Sequence, residues 1–61
     1  MEQVKDILKK EKEVKRIGFR SLKNGEIIDC FKNKEDIPSS TLNLQSPGHI
    51  NSFGNLIIDV F

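Results

Sequence analysis

The stretch Val14-Lys15-Arg16-Ile17-Gly18-Phe19-Arg20-Ser21-Leu22-Lys23-Asn24-Gly25-Glu26-Ile27-Ile28-Asp29-Cys30-Phe31-Lys32 decides the fold. In its first half Ile17 and Phe19 point one way while Arg16, Gly18 and Arg20 point the other, which is the two-residue period of a strand. Asn24-Gly25 then interrupts the alternation, and this pair tolerates the positive φ that both residues of a two-residue hairpin loop must take. The reading is a β-hairpin with strands over residues 14–23 and 26–32. A two-residue loop pairs Lys23 with Glu26, Arg20 with Asp29 and Phe19 with Cys30. In that register Ile17, Phe19, Ile28 and Cys30 share an apolar face. Leu22, Ile27 and Phe31 share the other with the opposed pair Arg20 and Asp29.

Upstream the period is helical. Val4, Ile7, Leu8 and Glu11 fall at i, i+3, i+4 and i+7, and charged residues fill the other sides, so residues 2–13 read as one short amphipathic helix. Three aliphatic side chains make a narrow stripe, suited to lying on a sheet and marginal alone in water.

Downstream, Pro38 and the polar residues around it mark an exposed connection over residues 33–40. Leu42 and Leu44 alternate with Thr41, Asn43 and Gln45, which predicts a third strand over 40–45 that stops at Ser46-Pro47-Gly48. Residues 56–61, Leu56-Ile57-Ile58-Asp59-Val60-Phe61, are β-branched and aromatic and predict a further strand. Gly54-Asn55 before it would close a tight hairpin with a strand over 49–53. Because residues 56–61 are apolar on both faces, that strand is either central in its sheet or sealed by a neighbouring molecule. The fold class expected is α+β: residues 1–61 form one domain in which the helix covers an antiparallel sheet of four or five strands.

A chain of 61 residues buries only about 60% of the surface its unfolded form exposes, so it needs help. Cys30 is the only cysteine and His49 the only histidine, so neither an internal disulfide nor a metal-ligand spacing is present, and no metal or cofactor is expected. Charge in residues 1–10 and apolar runs no longer than triplets offer no secretory or membrane-spanning segment, which predicts a cytoplasmic protein. Oligomerisation remains. The ten Lys and Arg residues and all but one of the nine acids precede Ile37, so the later part is nearly uncharged and built to be covered. Phe53, Leu56, Ile58, Val60 and Phe61 are therefore the expected interface of a homodimer.

Catalysis is not expected. Cys30 and His49, with an acid such as Asp59, would be the minimum set for a nucleophilic mechanism, but Cys30 is read as a small hydrophobe in the core face of its strand. His49, after Pro47-Gly48, is read as a turn residue. The sequence lacks the Gly-x-x-x-x-Gly-Lys of a phosphate loop. Nucleic-acid binding is the main alternative, because Lys9, Lys10, Lys12, Lys15, Arg16, Arg20 and Lys23 cluster along the helix end and first strand. Interleaved acids cancel much of that field, and neither Tyr nor Trp is present to stack bases. The absence of Ala and the abundance of Lys, Ile and Asn match an AT-rich genome, such as that of a low-GC bacterium or its phage. The function expected is a small non-enzymatic protein-binding module acting as a homodimer, of the size of phage inhibitors that occlude a larger host protein such as a defence protein. An accessory subunit of a larger complex is a further alternative.

Overall fold

The computed structural model describes residues 1–61. It is a small α+β fold with one short helix, a four-stranded mixed sheet and a two-stranded one. In chain order the elements are β1 (Glu2–Gln3), α1 (Val4–Lys10), β2 (Arg16–Ser21), β3 (Ile27–Phe31), a 3-10 turn (Lys34–Asp36), one α-helical turn α2 (Ser39–Leu42), β4 (Gln45–Ser46), β5 (His49–Ser52) and β6 (Asn55–Val60).

The helix is shorter than the periodicity over 2–13 predicts. Glu2–Gln3 are extended because they pair with Gln45–Ser46, and the Val4 N–H, which a helix start leaves unsatisfied, donates to the Leu44 carbonyl at 2.9 Å. At the other end Glu11 leaves the helical region (φ −87°, ψ 105°). There Lys34 Nζ reaches back from the later connection and donates to the carbonyls of Leu8 and Glu11 at 2.7 and 3.0 Å. An ammonium at a helix C-terminus satisfies orphan carbonyls and opposes the dipole. Lys34→Met, which keeps the stem and removes the donor, is expected to lower unfolding free energy by about 1–2 kcal/mol. Chemical denaturation checks this, and an unchanged midpoint would refute the cap.

The main sheet has the order β3-β2-β6-β5. Two antiparallel hairpins, β2–β3 and β5–β6, lie side by side, and their inner strands β2 and β6 run parallel in the register Ile17↔Leu56, Phe19↔Ile58, Ser21↔Val60. The wholly antiparallel sheet expected from the sequence is corrected to a mixed one. Of the two alternatives for residues 56–61, a central strand is the one found.

The first hairpin turns through four residues, not two. Ser21 N–H donates to the Glu26 carbonyl and Gly25 N–H to the Ser21 carbonyl, so Leu22–Gly25 form the loop, and only Gly25 has a positive φ. The register becomes Arg20↔Ile27, Phe19↔Asp29, Gly18↔Cys30 and Ile17↔Phe31, with Ile28 as an extra residue on β3. Such a bulge, together with the longer loop, moves side chains to the opposite face. Phe31, not Cys30, joins the core side, and its ring meets Phe19 edge-on at 6.0 Å and 74°. The predicted strand over 40–45 is also corrected. Thr41 and Leu42 N–H both donate to the Pro38 carbonyl, which starts the helical turn α2, and only Gln45–Ser46 pair as a strand.

One face of the main sheet carries the core. Ile17 and Phe19 from β2 and Leu56, Ile58 and Val60 from β6 pack under Val4, Ile7 and Leu8 of α1, and Ile37 closes the side from the connection. These nine residues are all buried, with Val14, Phe31 and Leu42 leaning on them. No helix is long and apolar enough to cross a membrane.

Candidate contact surfaces

The face of the sheet turned away from α1 has nothing over it. Strand alternation and register place Cys30, Gly18, Ile57 and Ile50 in one row across all four strands, and Ile27, Arg20 and Asp59 in the next. Gly18 makes the first row flat. A Cβ there would stand 2.9 Å from Ile57 Cδ1 and 3.8 Å from Ile27 Cδ1, so the two isoleucines lean into the space that glycine leaves. Ile27 and Ile50 are 51% and 58% exposed, and Ile57 is half-buried. Beside them Arg20 Nε donates to Asp59 Oδ1 at 2.7 Å, and that contact holds the guanidinium still more firmly protonated than usual.

The edges of the sheet are less inviting than its face. On β3 the Cys30 N–H is taken by Asp29 Oδ1 at 2.9 Å, and the bulge at Ile28 breaks the regular row of donors and acceptors. β5 is only four residues long. Short strands, bulges and edge carboxylates are the usual means of blocking strand addition. Main-chain pairing of two copies through residues 56–61 is closed as well, because β6 is bonded on both sides.

The five residues expected at an interface divide. Leu56, Ile58 and Val60 lie in the monomer core under α1, while Phe53 is 95% exposed at the β5–β6 turn and Phe61 is exposed beyond β6. Of the open-face residues, Ile27 falls beside Arg20 as the second face of the first hairpin predicts, whereas Ile50 and Ile57 are not among the residues expected at an interface. The signal that could have found Ile50 and Ile57 is alternation along the C-terminal hairpin, read separately for its two faces.

Cys30 and His49 do not share a site. Cys30 is exposed on β3, and His49 lies on β5 at the other edge of the sheet, on the helix side, where its Nε2 is 3.8 Å from Glu11 Oε1. The expectation that Cys30 is a core residue is corrected by the register shift. Near His49, Lys10 pairs with Glu2 and holds its carboxyl below the ordinary glutamate range. The cations grouped by sequence part company: Lys10 bonds Glu2, Arg20 bonds Asp59 on the open face, and Lys23 sits in the first hairpin loop. No three His, Cys, Asp or Glu side chains gather to hold a metal ion.

The chain matches no protein-family model, and neither a curated protein nor a solved structure shows significant similarity to it.

Proposed function

We propose that this chain is a small non-enzymatic protein-binding module that works as a homodimer, with the open sheet face as the seam between copies. The observation that carries the reading is the row Cys30-Gly18-Ile57-Ile50, flat and largely apolar, on the uncovered side of a two-layer fold. A chain with one covered sheet face leaves apolar area that a second layer would bury. The charges favour a second copy as that layer. Arg20 and Asp59 sit side by side, so a two-fold axis in the plane of the face and passing between them sets the Arg20 of one copy against the Asp59 of the other. Four strands of four to six residues present a seam burying on the order of 1,000 Å² in total, the lower end for a stable pair, so the dimer is expected to dissociate on dilution.

The pair would then offer its remaining surface to a larger protein. Its small size and AT-rich composition fit a phage-type inhibitor of a bacterial defence protein, acting by occlusion.

Light scattering over a dilution series tests the seam, with Ile50→Lys as the comparison because Ile50 is exposed in the monomer and outside the core. The wild type is expected at twice the monomer mass at high concentration. Ile50→Lys is expected to stay monomeric with an unchanged melting temperature, its self-affinity lower by about a hundredfold. A wild type that is monomeric throughout, or an Ile50→Lys variant that associates equally well, would sink the proposal.

A further inference from the structure

The β5–β6 hairpin closes on Phe53-Gly54, between the paired residues Ser52 and Asn55. Both loop residues have positive φ, 53° at Phe53 and 91° at Gly54. The sequence predicted a Gly54-Asn55 turn, and the shift by one residue puts a phenylalanine where Asn, Asp or Gly is favoured. A bulky side chain in the left-handed region costs about 1–2 kcal/mol. At 95% exposure its ring contributes nothing to the core, so no burial offsets that strain.

The backbone of the turn that carries the ring is held on several sides. The Gly54 carbonyl accepts from the N–H groups of Lys15 and Arg16 at 2.7 and 3.1 Å, and the Gly54 N–H donates to Asn51 Oδ1 at 3.1 Å. Asn51 Nδ2 in turn donates to the Glu13 carbonyl at 3.2 Å. The Lys15 stem lies across Gly54, where an added Cβ would meet its Cγ at 2.9 Å. Between this tip and residues 12–15 runs an open groove of about 670 Å³, in which Phe53 and Val14 are the apolar walls. Lys12, Lys15 and Arg16 form no ion pair, and Glu13 is the one acid among the groove residues.

We propose that this groove is a peptide-binding site, which takes an acidic segment of a partner protein with an apolar side chain laid against Phe53 and Val14 and carboxylates on Lys12 and Lys15. An exposed aromatic on a turn whose backbone is already held is the kind of anchor that binding selects, because little backbone freedom is lost on contact. Stacking on a single-stranded nucleic acid would use the same ring and cations, but Glu13 opposes a phosphate backbone and no second exposed aromatic stands in the groove to continue the stack. The site does not depend on the dimer seam, and the Ile50→Lys variant serves equally well for the measurement.

Fluorescence anisotropy tests it with three labelled probes: a peptide with a central leucine between glutamates, the same peptide with lysines, and oligothymidylate. The glutamate peptide is expected to bind, to weaken as salt rises, and to lose about tenfold or more in affinity with Phe53→Asn and with Lys15→Glu. Phe53→Asn is expected to melt at or above the wild-type temperature, which separates lost binding from lost folding. A glutamate peptide that binds no better than the lysine peptide, tighter binding of oligothymidylate, or full affinity in Phe53→Asn would each overturn the proposal. A lower melting temperature for Phe53→Asn would do the same, since the ring would then be structural.

Discussion

Ile58→Lys is expected to unfold the protein outright. Ile58 is wholly buried on β6, in register with Phe19 on one side and His49 on the other, and it faces the underside of α1. A lysine there either buries an ammonium without a counter-ion, which costs several kcal/mol even after local relaxation, or opens the sheet to reach water. A 61-residue domain has about 3–9 kcal/mol of stability in total, so either route leaves little of it. Ile58→Val, by contrast, removes one methylene and should cost about 1 kcal/mol. Circular dichroism with a thermal melt distinguishes the two. A cooperative melt for Ile58→Lys near the wild-type temperature would mean that β6 does not pack as described.

Phe19→Ala is expected to cost about 3–5 kcal/mol, the range for emptying a buried aromatic site. Phe19 has neighbours on every side: Phe31 edge-on at 6.0 Å, Ile58 beside it in the sheet, and the apolar stripe of α1 in the same cluster. Phe31→Ala should cost less because Phe31 is only half-buried. The double variant should cost less than the sum of the singles by about 1 kcal/mol, the worth of the edge-to-face contact. Strictly additive losses in urea would show that the two rings pack independently.

Much of this architecture was legible because burial imposes a period on the chain. Val4, Ile7 and Leu8 announce the covering face of α1, and all three are buried. Ile17 and Phe19 announce the core face of β2 in the same way. The failures come from choices that periodicity does not make. Asn24-Gly25 reads as a two-residue loop, but only Gly25 adopts a positive φ and Leu22 is drawn into the turn, so β3 slips and Cys30 and Phe31 exchange faces. Over 40–45 two leucines alternate too briefly to outweigh the helical turn that the Pro38 carbonyl begins. The parallel pairing of β2 with β6 leaves no local trace, since a strand's own residues do not say which distant strand will lie beside it.

The same limit explains the candidate surfaces. Phe53, Leu56, Ile58, Val60 and Phe61 stand out as apolar, yet three of the five belong to the interior, and only the strand order shows which side of β6 is left open. Phe53 is expected at an interface on its apolar character alone. Its significance lies in backbone geometry, a left-handed φ in a turn held by Lys15, Arg16 and Asn51, and an amino-acid letter does not carry that.

The parallel contact between Arg16–Ser21 and Asn55–Val60 also governs how the molecule comes together. The side chains of β2 have no complete surroundings until a segment some 39 residues away arrives beside them. The first hairpin by itself is a two-stranded ribbon, which is at best marginally stable in water. Closing the long loop comes before nearly all the burial that rewards it, so the entropic cost and the hydrophobic gain fall in one step. Such a chain has no smaller stable part to stop at, and a protease or chaperone would meet it either whole or entirely open.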